Sequence, residues 1–169
     1  GNANFWSPHN NGYKAISGIG RNNSVGILCK NEKGQVGYGI QQNIALNQKT
    51  PMPIAVKGWS KAENVGGGKD SNYSIYVDIT YQDNSTLWGQ TGNFSTGTHD
   101  WEKKEFVIIP SKPIKSLMIY GLFRSHIGTA IFDDLELYEM GKGASMLDNV
   151  PIELPKPENH IDMKEGLRY

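Results

Sequence analysis

The sequence predicts an all-β protein built as an antiparallel two-sheet β-sandwich. Three observations predict it. Short strand-like segments follow one another at sandwich spacing, turn residues separate them, and helical periodicity is nearly absent. The 20 glycines among 169 residues suit a turn-rich β protein, and the length is that of one domain with a core large enough to need no staples.

Strands are expected near 13–17, 24–29, 34–46, 53–61, 72–82, 102–109, 114–123 and 128–138. Turn signals such as Asn10-Asn11-Gly12, Gly66-Gly67-Gly68 and Ser111-Lys112-Pro113 lie between them. The clearest strand runs from Tyr73 to Tyr81. Tyr73, Ile75, Val77, Ile79 and Tyr81 form one set and read as its core face. Ser74, Tyr76, Asp78 and Thr80 form the other, which places Tyr76 and Asp78 together on an outer face. In 54–60, Lys57 marks the outer side and takes Trp59 with it. A short turn of helix is expected within 141–149. Beyond it Pro151, Pro155 and Pro157 interrupt regular structure. The domain is therefore expected over 1–140, with 141–169 as a tail or linker.

Charge argues against some partners. The 17 basic and 17 acidic side chains cancel, and no Lys/Arg stripe stands out, so neither nucleic acid nor an anionic membrane is expected. No apolar run reaches the roughly 18 residues of a membrane-spanning helix. The single cysteine, Cys29, lies in an apolar run and reads as a small buried hydrophobe.

Local catalytic motifs are missing: there is no nucleophile elbow, zincin helix, phosphate loop or dinucleotide fingerprint. His9, His99, His126 and His160 do not fall at helical metal-ligand spacing. Asp133 and Asp134 are neighbours on a strand, so alternation sends them to opposite faces. Aromatic residues offer a different chemistry. Four tryptophans and eight tyrosines can give rings that pack on the C–H faces of sugars, while polar neighbours pair with hydroxyls. The candidate contacts are Trp59, Tyr76, Trp88, Arg124, His126, Gln42 and Asp78. The competing reading for each tryptophan is core packing, and for Arg124 a surface salt bridge. Trp6 is expected to pack the N-terminal segment down. A carboxylate within Ile131-Phe132-Asp133-Asp134-Leu135 is costly unless it binds a cation or accepts backbone N–H bonds, and structural calcium is one resolution.

The segments Gln41-Gln42-Asn43-Ile44-Ala45-Leu46, Pro53 to Ser60, Ser74 to Ile79, and Gly128 to Leu137 together resemble jelly-roll, galactose-binding-like carbohydrate-binding modules appended to secreted glycoside hydrolases and polysaccharide lyases. The likeness covers about 12–139. It implies a jelly roll, a poly- or oligosaccharide partner, a catalytic domain in the same secreted or cell-surface protein, and a structural calcium at Asp134 with oxygens such as that of Asn4. It also implies that Trp101 packs inward. The leading expectation is a noncatalytic module that targets a glycan-degrading protein to its substrate. The alternatives are a structural or protein-binding sandwich, and a small lyase or hydrolase using Tyr76, Asp78, Arg124 and His126.

Overall fold

The computed structural model describes residues 5–34 and 36–140, together with the strand placement of 146–147, 150–151 and 159–161. In chain order the strands are β1 (Ser7–Pro8), β2 (Lys14–Ser17), β3 (Val25–Asn31), β4 (Gly37–Ala45), β5 (Ile54–Val65), β6 (Tyr73–Tyr81), β7 (Thr86–Asn93), β8 (Gly97–Ile108), β9 (Ile114–Arg124), β10 (Gly128–Glu139), β11 (Met146–Leu147), β12 (Val150–Pro151) and β13 (Asn159–Ile161). A short 3-10 turn at Arg21–Asn23 precedes β3.

Two antiparallel sheets make the expected jelly-roll sandwich. The first has the order β1-β4-β9-β6-β7, and the second β2-β3-β10-β5-β8, with β13 added to β10. The alternation read from 73–81 holds. Tyr73, Ile75, Val77 and Ile79 are sealed from solvent against Leu117, Ile119 and Phe123 of β9, whereas Tyr76 and Asp78 face out. Between the sheets Tyr73, Phe94, Phe123 and Phe132 pack as tilted or edge-on ring pairs with centroids 5.2–6.0 Å apart. The Tyr73 hydroxyl is satisfied at 2.6 Å by Ser60 Oγ, which donates on to the Ile131 carbonyl. Cys29 lies in this core, where burial pushes its thiol pKa up and keeps it inert. Trp6 is buried, as expected for an N-terminal anchor.

Three local features depart from the sequence reading. β7 was not expected, because Thr86-Leu87-Trp88-Gly89-Gln90 has no clean alternation. The β6 ladder holds it, with a bulge between Val77 and Ile79. Trp101 is half-buried and outside the core cluster, so it does not pack inward as the resemblance implied. Met146–Leu147 pair with Val150–Pro151 as strands within the stretch expected to turn helically. Asn159–Ile161 of the expected tail pair with β10, and the remaining tail lies outside the described residues. Among those residues no helix is long and apolar enough to cross a membrane.

Candidate functional site

Register places a mixed aromatic and polar row across the outer face of the first sheet. It runs Ser7, Gln41, Tyr120, Tyr76, Thr91 from β1 to β7. The next row toward the opposite end of the strands is Asn43, Met118 and Asp78. Tyr120 and Tyr76 meet edge-on at 5.7 Å, and the His9 ring meets Tyr120 edge-on at 5.2 Å. Asn10 Nδ2 donates to His9 Nε2, which leaves Nδ1 as the N–H that donates to Gln41 Oε1 at 3.1 Å.

Charge brackets the ring pair. The Arg124 guanidinium stands 5.8 Å over the Tyr76 ring and is fixed by Nε donating to Asn72 Oδ1 at 2.7 Å. Asp78 accepts from the Gly89 backbone N–H at 3.0 Å. Gly89 has φ +73°, a conformation glycine adopts without strain, and that conformation turns its N–H to Asp78 at the β7 bulge. Burial, then the negative charge of Asp78, raises the Tyr76 pKa, and Arg124 opposes that rise. Tyr120 is raised in the same way, by burial and then by Asp78. Both hydroxyls therefore stay protonated near neutrality and available as donors and acceptors.

The expected contacts divide between places. Tyr76, Asp78 and Arg124 share this face. Trp88 is 62% exposed at the free edge beside them, where β7 bulges opposite Asp78. Trp59 is outward as expected, but on the other sheet, across the sandwich. There the Arg21 guanidinium stacks 3.7 Å over its ring, so Trp59 and Tyr76 cannot serve one ligand. Gln42 belongs to the inner set with Ile40 and Ile44, and the outward residue is its neighbour Gln41. His126 is only 4% exposed. Its Nδ1 bonds the Gly66 carbonyl at 2.6 Å and its Nε2 bonds Asp70 at 3.0 Å, so it ties the loop after β5 to the turn after β9. The proposed four-residue catalytic set is therefore not assembled: both His126 ring nitrogens are taken up by Gly66 and Asp70, and among the described residues Arg124 is linked to it only through Asn72 and Asp70. His9, Gln41, Asn43 and Tyr120 were missed. The alternation of Met118 and Tyr120 with Leu117 and Ile119 carried the signal for Tyr120.

The carboxylates of β10 also differ from expectation. Asp134 has φ +51° at a bulge between Asp133 and Glu136, and this breaks the alternation. Both side chains then reach one segment. Asp133 Oδ2 accepts from the Arg21 N–H at 2.7 Å and the Ser24 hydroxyl at 2.6 Å, while Asp134 pairs with the Arg21 guanidinium at 2.5 Å. Burial is the main influence on Asp133 and raises its pKa against those donors. A fixed guanidinium beside Asp134 and donors around Asp133 do not fit a calcium ion. Asn4 lies outside the described residues, and among them no group of three or more His, Cys, Asp or Glu side chains is placed to hold a metal.

Comparison with known proteins gives two kinds of likeness. No family model matches the chain. The protein named tRNA(Glu)-specific nuclease WapA, of Bacillus subtilis subsp. natto, is 32% identical over 147 residues, covering 82% of this chain and 6% of the relative. The tRNA3(Ser)-specific nuclease WapA of Bacillus spizizenii is 33% identical over 125 residues, covering 71% and 5%. The chain thus spans about 6% or less of the length of these relatives. Among solved structures, the CBM22-1-GH10 modules of a Clostridium thermocellum endo-1,4-beta-D-xylanase, complexed with xylohexaose, match with TM-score 0.60 at 12% identity, covering 87% of this chain and 28% of that one. A family 16 carbohydrate-binding module matches with TM-score 0.55 at 15% identity, covering 75% and 85%. These structures establish a fold shared with carbohydrate-binding modules. The relatives are named tRNA nucleases, which contradicts two expectations for this chain: that it targets a glycan-degrading protein to its substrate, and that it is not an enzyme.

Proposed function

We propose that this chain is a jelly-roll segment of a longer protein of the tRNA-nuclease kind, and that the outer face of its first sheet holds a saccharide. The observation that carries the second part is the His9–Tyr120–Tyr76 ring cluster, bordered by Gln41, Asn43, Asp78 and Arg124 on a sheet already fixed by its ladders. Half-buried rings offer an apolar surface to one face of a pyranose, and the bordering amides, carboxylate and guanidinium pair with its hydroxyls. The fold shared with carbohydrate-binding modules supports this reading. The relatives' names support the first part, in which RNA cleavage is the reaction of the longer protein.

Two experiments test the two parts. Cleavage of total tRNA by the full-length parent tests the first, and intact tRNA would refute it. Titration of the chain with xylo-, cello- and galacto-oligosaccharides tests the second. Replacing one stacking ring costs ~1.4 kcal/mol, or about tenfold in affinity, so Tyr120→Ala should weaken binding by about that factor. Trp59→Ala, on the far side, should leave it unchanged. Absence of binding to every sugar, or a loss confined to Trp59→Ala, would refute the reading.

A further inference from the structure

A depression separate from the saccharide residues lies where the β2–β3 edge of one sheet meets β4 of the other. It is a cleft of about 610 Å³. Tyr13 and Tyr38 line it, and each is half-buried against the core, so part of each ring is left to the cleft. Leu28 adds apolar surface, and Lys14, Lys30 and Lys33 also line it. Glu32 also lines it and is engaged by Lys30 at 2.8 Å. Lys14 and Lys33 make no ion pair among the described residues. Whole-chain neutrality therefore conceals a local excess of positive charge at a groove with aromatic walls.

A single-stranded nucleic acid needs that combination: cations along the backbone and rings on which bases stack. We propose that this cleft takes a single-stranded stretch of RNA, with phosphates against Lys14, Lys30 and Lys33 and a base against Tyr13 or Tyr38. Charge complementarity favours a polyanion over a neutral sugar, and the tyrosines favour one that carries bases. The names of the relatives make RNA the ligand of choice. This revises the expectation, drawn from net charge, that nucleic acid is no partner. It does not rest on the saccharide reading, because the two sites share no residue.

The test is fluorescence anisotropy of a labelled single-stranded RNA decamer with the intact chain between 50 and 200 mM salt. Three phosphate contacts predict a loss of affinity of about 18-fold across that range, from a slope of about −0.7 per contact. The double variant Lys14→Gln/Lys33→Gln retains one contact, and its loss should shrink to about threefold. Tyr13→Leu keeps the apolar packing and removes the stacking ring, so it should weaken binding without changing the salt slope. Tyr120→Ala should leave RNA binding intact even if saccharide binding is lost. No measurable binding at 50 mM salt would overturn the proposal, as would an unchanged slope in the double variant. Equal displacement of the RNA by base-free polyphosphate would also overturn it, because the site would then read charge alone.

Discussion

Replacing His126 with alanine separates a structural histidine from a ligand contact. The ring is buried, stacked at 6.4 Å on Phe123, and bonded through both nitrogens to Gly66 O and Asp70. Each lost hydrogen bond costs about 1 kcal/mol net, with the Gly66 carbonyl left partnerless. Truncating the buried ring adds about 1–2 kcal/mol for lost packing. The total is about 3–4 kcal/mol, and at about 2–4 °C per kcal/mol for a chain of this size the melting midpoint falls by about 6–16 °C. Differential scanning calorimetry measures the shift, and titration with the best-bound oligosaccharide runs alongside it below both midpoints. Affinity should be unchanged, because the ring lies off the saccharide face. Gly67 provides an internal check. It has φ +91°, and a Cβ there would come within 2.8 Å of His126 Nδ1, so Gly67→Ala should destabilise in the same direction. A variant at His126 that melts like wild type and loses sugar affinity would refute this account of the loop.

Arg21→Ala removes both the pair with Asp134 and the cover over Trp59, two partly buried interactions. It should lower stability by about 2–4 kcal/mol in chemical denaturation while sparing both proposed ligands. Asp133 gives a pH dependence of definite sign. Its folded pKa lies above the ordinary 3.8, so the folded state binds its proton more tightly than the unfolded chain does. The stabilisation this gives is full below pH 3.8 and is lost as the pH rises through the folded pKa. Relative to wild type, Asp133→Asn should therefore improve as the pH rises through that window in denaturant titrations. A gap that widens instead would contradict the burial argument.

Much of the fold was legible because one physical signal repeats along the chain. In β6 strict alternation separates Tyr73, Ile75, Val77 and Ile79 from Tyr76 and Asp78, and burial against β9 follows that split. The signal failed wherever a bulge interrupts the period. At Asp134 a left-handed residue brings both carboxylates to Arg21, and at Trp88-Gly89 it let β7 pass as a loop. The site was only half legible for another reason. Alternation along one strand put Tyr76 and Asp78 on a common outer face, but a whole face is assembled by register between strands distant in sequence, and nothing local joined Arg124 to them. Nothing local in Gln41-Gln42 says which glutamine faces out; pairing with β9 decides it. His126 was misread because a histidine after an exposed-looking turn gives no hint that Gly66 and Asp70 fold over it.

The most direct measurement is the pattern of amide shifts in a 1H–15N spectrum as a saturating oligosaccharide is added. The account predicts perturbations at Gln41, Tyr76, Gly89 and Tyr120, with Trp59 and Arg21 across the sandwich unmoved. Shifts centred on Trp59, or none at any residue of the first sheet, would contradict it.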